Sequence, residues 1–511
     1  MDLAREASLG GAHTSDVYDI EEVETRLSKA DIIALTCSAG GLQLIWSTIF
    51  SHGSAYLFSL GITQSQSSLI WAAVPFCGAF VQPLVGLWSD SCALTYGRRR
   101  PFLIGGAACS ILCMLGLAWV TDIAKFLEVD EIKTFAIVLI VLLTVAIQPV
   151  QSGIRSLIVD ACAPEQQANA SAWASRFTGI GNIIGYFAAS APIARKMDDK
   201  EMSRFRFMAM LASSGVVITV YITCLRIKET SPKAIARFET TTNPRTCLCR
   251  LWRTIVSSIQ EMPPRAKAVC RVQFFSGMAW FGFLFYSSTY VSHLFLTEEQ
   301  RDGVAIPYRF HSDSMAVGSS ANLLFAIVSL VASVVLPWFI DRASCWTGVC
   351  SEQDDAPTRA DKSLEHMLPR LWAAGMVLYS FCVLMTLFVS SSAGSIMLIG
   401  LVGISWAITQ WVPYAIISAE ISSHRSESYQ YSTIEAGVKG SPEAERKNSG
   451  IMMGLHNAAI SLPQIFVALL LSIVFYIATE TGHKDHAVAW VLRGSAGATL
   501  IAAYLILRGL R

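Results

Sequence analysis

The chain reads as an all-α membrane protein of twelve transmembrane helices in two six-helix bundles, and three observations predict this. Of its 511 residues, 53% are hydrophobic and 15% charged, where soluble domains carry about 25% charged residues. Apolar runs of about 20 residues, long enough to cross ~30 Å of hydrocarbon, recur along the whole sequence. The longest polar interruption, from Ile227 to Ala268, comes after the sixth run.

The runs place spans at 31–60, 67–88, 101–121, 134–162, 167–193, 206–226, 269–291, 314–340, 369–391, 394–419, 449–477 and 487–508. They divide the chain into a tail (1–30), a first bundle (31–226), a linker (227–268) and a second bundle (269–511). The first 30 residues are polar and acidic, with no basic stretch before a short apolar core, so no cleaved signal peptide is expected. With both termini inside, 22 of the 39 Lys and Arg residues fall in cytosolic segments, as the positive-inside rule requires. The linker is strongly basic, with Lys228, Lys233, Arg237, Arg245, Arg250, Arg253, Arg265 and Lys267. The loops 341–368 and 420–448 also fall inside, and the second, rich in Ser and Glu, is expected to be mobile. Cys247 with Cys249, and Cys345 with Cys350, lie in these reducing-side segments and are not expected to form disulfides.

A short internal echo supports the two bundles. Gln82-Pro83 precedes Asp90 at the end of span two, and Leu336-Pro337 precedes Asp341-Arg342 at the end of span eight, six spans later. Parallel six-helix repeats characterise the major facilitator architecture.

The turn between spans two and three carries Asp90, Gly97 and the block Arg98, Arg99, Arg100. Charges facing hydrocarbon are costly, so this set must lie at an interface and pair. Such a cluster suits a latch that closes the inner gate of a rocking transporter. Ionisable groups inside spans mark functional sites. Asp160 and Arg155 on span four, with Arg176 on span five, are therefore expected to form a proton-coupling site. An amide donates and accepts at once, as a hydroxyl ligand needs, and indole faces stack on sugar rings. The substrate-binding candidates are Gln43, Trp71, Gln151, Asn182, Trp280, Gln410 and Asn457. Further amides (Gln148, Asn322, Gln464) and aromatics (Trp46, Tyr56, Tyr286, Trp406, Trp411) recur in the spans, and about a third of both sets is expected to touch substrate, the other aromatics serving as interface belts.

The runs WAAVPFCGAFVQPLVGLWSDSCALTYGRRRPFLIGG (71–106) and RSLIVDACAPEQQANASAWASRFTGIGNIIGY (155–186) resemble the glycoside–pentoside–hexuronide:cation symporter group. Within that group they are similar to the sucrose and α-glucoside proton symporters, nearest the fungal and animal branch. GISWAITQWVPYAIISAEIS (403–422) and GLHNAAISLPQIFVALL (454–470) fit the same family. The resemblance implies a twelve-helix major facilitator fold and proton-driven uptake of a disaccharide, sucrose or an α-glucoside such as maltose. It also puts the family's span-four aspartate on Asp160 and its gate charges on Asp90 and Arg98 to Arg100. Plant members carry more charge in span seven, where this chain has only His293 in FFSGMAWFGFLFYSSTYVSHLF, so specificity is expected to differ from theirs.

The expected partners are a disaccharide, protons and the lipid bilayer of the plasma membrane, with the chain working as a monomer. A formal net charge of +1 argues against nucleic acid. No nucleophile–base pair, metal cluster or phosphate loop can be assembled, so neither an enzyme, a metal nor a cofactor is expected. A sugar sensor without net transport, and a facilitator or exporter of an internal membrane, fit the same fold.

Overall fold

The computed structural model describes residues 26–92, 94, 96–190, 201–227, 229, 253, 255–301, 309–346, 356–436, 449–482 and 484–510. Most of the expected tail and linker, with Cys247, Cys249 and Cys350, lies outside them. Among the described residues there is no strand. Twelve long helical runs take the places of the twelve expected spans.

Helix α1 is built from Lys29–Thr36 and Ser38–Thr48, followed by a π turn over Ile49–Gly53 and a last turn at Ser54–Ser59. Helix α2 joins Gln64–Trp71 to Ala73–Asp90, and its start is fixed by a capping box between Thr63 and Gln66. There follow α3 (Arg100–Ala118), α4 (Ile132–Ala161), α5 (Gln167–Ser190) and α6 (Glu201–Arg226). The second half supplies α7 (Pro264–Arg301), α8 (Arg309–Trp346), α9 (Ala356–Met385), α10 (Ser392–Ala436), α11 (Ser449–Glu480) and α12 (Lys484–Gly509). Proline inside α2, α4, α8, α9, α10 and α11 does not stop them, because neighbouring groups re-satisfy the freed carbonyls in a packed membrane bundle.

Among the described residues eleven of the helices are long and apolar enough to cross a membrane. The twelfth, α5, carries Asn169, Arg176 and Asn182 and is too polar by composition. It is accommodated because it lies between α1 on one side and α8 and α10 on the other. One expectation needs correction. Helix α10 runs on to Ala436, into the stretch read as a mobile loop. From Ser422 to Ala436 the sequence contains neither glycine nor proline, so nothing breaks the helix until Gly437.

Each half has its own apolar core. The first gathers residues from Ile32 to Ile227, including Leu35, Ile45, Leu103 and Ile147. The second is centred on Trp280, Phe283, Tyr379 and Leu492. The halves meet along two seams, α2 against α11 and α5 against α8. On the first seam a side chain on Gly86 would strike the Gly450 carbonyl, and one on Gly454 would come 2.6 Å from the Pro83 Cα. Small residues there let the two backbones touch, the usual device for close packing in lipid.

Candidate substrate cavity and charge latch

Between the halves lies a cavity of about 210 Å³. Its wall is made of helical stripes at three- and four-residue spacing. Helix α4 contributes Gln148, Gln151 and Arg155, α11 contributes Asn457, Ser461 and Gln464, and α10 contributes Trp406, Gln410 and Tyr414. From α1 come Gln43, Trp46 and Phe50, and from α7 Gln273, Trp280, Phe281 and Phe285. Among the described residues no Asp or Glu is part of the lining, and Arg155 is its one charged residue.

Polar contacts cross this space. Gln151 donates to Asn457 Oδ1 at 3.2 Å, and Asn457 in turn donates to the Gly78 carbonyl at 3.2 Å, tying α4 and α2 to α11. Gln148 Oε1 and the indole nitrogens of Trp280 and Trp406 are buried without a partner among the described residues. Buried polar atoms are normally satisfied, so these three are unspent hydrogen-bonding groups on residues of the cavity wall. Arg155 lies 3.6 Å from the centroid of the Tyr414 ring and donates to Gln410 at 3.5 Å.

Of the substrate-binding candidates, Gln43, Gln151, Trp280, Gln410 and Asn457 line the cavity. Trp71 and Asn182 do not. The Trp71 indole donates to Ser54 Oγ at 3.0 Å and packs on Gly53. The π turn of α1 brings those two residues under it, which spacing alone does not reveal. Asn182 lies one turn beyond the lining residue Thr178 and accepts a 2.8 Å hydrogen bond from Gln43 Nε2. It therefore orients a wall residue from behind. Gln273 and Tyr414 were missed, although each falls on a helical stripe of amides and aromatics that a period of 3.6 picks out.

The expected triad of Asp160, Arg155 and Arg176 is not brought together. Arg155 and Asp160 are five residues apart on α4, which separates them by about 140° around the helix and ~7.5 Å along it. Arg155 thus faces the cavity while Asp160 faces α3 and α11. Arg176 stacks on Trp173 at 4.6 Å and donates to the Ser333 carbonyl of α8 at 3.4 Å.

Asp160 belongs to the latch. It accepts from Arg98 Nη2 at 2.8 Å, from Arg99 Nε at 2.9 Å and from Ser449 Oγ at 2.6 Å. Arg99, fully buried, also donates to Asp90 at 2.5 Å, to Ser89 at 2.7 Å and to Ser449 at 2.8 Å. Burial disfavours its charge, but Asp160 and Asp90 outweigh this and raise its pKa above that of an ordinary arginine. Asp90 accepts from the backbone N–H groups of Gly450 (3.1 Å) and Ile451 (2.9 Å), so it caps the first turn of α11. The cluster therefore bridges the two halves at one end of the cavity.

Glu229 completes the latch, and nothing in a basic linker pointed to it. Its carboxylate accepts from the backbone N–H groups of Arg98 (2.6 Å), Arg99 (2.9 Å) and Arg100 (2.8 Å), the open start of α3. Gly97 makes this approach possible, since its φ of +111° suits glycine and a side chain there would strike Glu229. Arg100, expected as a gate charge, takes part through its backbone, while its Nε and Nη2 are buried without a partner among the described residues.

The sequence matches the major facilitator superfamily over residues 32–432. The chain belongs to the major facilitator superfamily. It is 31% identical to the general alpha-glucoside permease of Schizosaccharomyces pombe, in an alignment covering 95% of this chain and 94% of the permease. Sucrose transport protein SUC4 of Arabidopsis thaliana is 24% identical, over 87% of this chain and 84% of its own. Among solved structures, the proton:xylose symporter XylE superposes with a TM-score of 0.57 at 12% identity, covering 94% of this chain and 96% of XylE. The seams of α2 with α11 and of α5 with α8 are the contacts that join the two halves of this facilitator fold.

Proposed function

We propose that the protein is a proton-coupled symporter that moves sucrose or a related α-glucoside such as maltose by alternating access. It works as a monomer in the plasma membrane, with both termini and the latch on the cytosolic side. The observation that carries this reading is the cavity between the halves, walled by amides and tryptophans and closed at one end by charges that bridge α2, α3 and α4 to α11. Amides match hydroxyls that both donate and accept. The alpha-glucoside permease and sucrose transport protein to which the chain is similar support the same substrate class.

Coupling is assigned to Asp160 in the latch. A proton on its carboxyl group removes the charge that Arg98, Arg99 and Ser449 bind, and so loosens α11 from the first half. Sugar in the cavity and a proton in the latch then act on one conformational equilibrium, each by its differential affinity for the two states.

Uptake of labelled sucrose and maltose into cells lacking sugar transport, with and without an uncoupler, tests the reading. Accumulation above the external concentration, abolished by the uncoupler, is expected. Asp160→Asn should lose that accumulation and keep exchange of sugar across the membrane. Uphill uptake by this variant equal to the parent's removes Asp160 from the coupling step.

A further inference from the structure

A cation inside a membrane protein is ordinarily paired with an acid, yet Arg155 has no carboxylate partner among the described residues. One ring holds it instead, and a second ring packs on the first. The Tyr414 ring lies 3.6 Å from the guanidinium carbon, and His456 meets that ring at 88° with centroids 4.9 Å apart. Both nitrogens of His456 are buried without a partner among the described residues, and the contact it makes here is through its ring.

We infer that Tyr414 and His456 are positioning residues that hold Arg155 by its face, leaving its N–H edge to take two neighbouring hydroxyls of the sugar. The inference rests on the sugar-transport reading above and names the subsite within it. A guanidinium offers five N–H donors in a planar fork. A carboxylate partner would occupy that fork in a bidentate pair, whereas an aromatic ring takes the face and leaves the edge unspent. Among the described residues Arg155 makes one hydrogen bond, the 3.5 Å contact to Gln410, so most of the edge is available in the cavity wall. Gln151 and Asn457 line the same wall and supply amides beside it. The parallel N–H pair that spans a carboxylate also spans two adjacent ring hydroxyls, so the ligand feature read here is a vicinal diol.

The test combines variants with substrate analogues. Uptake kinetics of labelled maltose, and its inhibition by maltose analogues each lacking one ring hydroxyl, are measured for the parent, Arg155→Gln, Tyr414→Leu, Tyr414→Phe, His456→Ala and His456→Phe, with surface protein counted. In the parent, two analogues that lack adjacent hydroxyls should bind about a hundredfold more weakly than maltose, because each leaves a buried donor unpaired. That penalty should shrink to about threefold in Arg155→Gln. Tyr414→Leu should raise the KM about tenfold and leave turnover per surface molecule nearly unchanged, and Tyr414→Phe, which keeps the ring, should restore it. His456→Ala should raise the KM and His456→Phe should restore it. A merely structural role would lower surface protein or turnover and leave KM and the analogue penalties alone.

An undiminished analogue penalty in Arg155→Gln overturns the inference, as does a parent-like KM in Tyr414→Leu. A parent-like KM in His456→Ala removes His456 from it. If Tyr414→Leu does not reach the surface, the analogue series on Arg155→Gln still decides. Failure of the parent to take up maltose would defeat the sugar reading itself, a separate outcome of the same assay.

Discussion

Replacing Asp90 by asparagine attacks the latch at its most buried carboxylate, which is 1% exposed. Three bonds end on it, and two of them, from the N–H groups of Gly450 and Ile451, come from the opposite half of the molecule. Only those two differ between a latched and an unlatched molecule, because Arg99 belongs to the same half as Asp90. Hydrogen bonds to a charged group contribute about 1.5–3 kcal/mol each, so the pair contributes roughly 4 kcal/mol to the latched state. Asparagine keeps one neutral oxygen, which can retain one bond at about 1 kcal/mol. The net loss is then about 3 kcal/mol, a shift of about a hundredfold in the latched-to-unlatched ratio. A cysteine at position 154, a cavity-lining residue on α4, reports the shift when the native cysteines have been replaced. If about 1% of parent molecules are unlatched at any time, the variant should reach about half, and thiol labelling from the latch side should rise about fiftyfold. Transport should fall. A variant that reaches the surface and loses transport while labelling at the parent's rate would mean that Asp90 serves folding or topology and no gate.

Glu229→Gln removes the charge from a cap on three N–H groups, a loss of about 1–2 kcal/mol, and should lower the midpoint of thermal unfolding of the purified protein measurably. Gly454→Val places a side chain against Pro83, so α2 and α11 cannot close. Surface expression should persist, uptake should drop more than tenfold, and labelling at position 154 from the latch side should rise above the parent's. Gln151→Leu removes a cavity amide bonded to Asn457 and should raise the apparent KM about tenfold, from the ~1–3 kcal/mol lost when a hydroxyl partner is removed. Trp71→Leu, by contrast, should leave the KM within about twofold, since its indole bonds Ser54 outside the cavity wall.

What the sequence could determine is what hydrocarbon enforces residue by residue. A span must be apolar for about 20 residues unless its neighbours shield it, so eleven of the twelve expected spans follow from hydropathy among the described residues, while α5 is tolerated because α1, α8 and α10 pack around it. A charge block must find partners wherever it lies, so Asp90, Arg98 and Arg99 could be grouped from their spacing alone. Residue chemistry inside the spans was enough to nominate Gln43, Gln151, Trp280, Gln410 and Asn457, because an amide donates and accepts as a hydroxyl ligand needs. Tertiary structure alone decided which charge meets which. Asp160 and Arg155 are close along α4 but about 140° apart around it, and the direction each faces is set by what packs there: α3 and α11 for one, the cavity for the other. Glu229 reaches the start of α3 across 129 residues of sequence. The bond from Ser449 to Asp160 spans 289. Hydrophobicity acts through local composition and is written along the chain. Hydrogen bonds and ion pairs act at contact distance, and contact between remote segments exists only once the helices have packed.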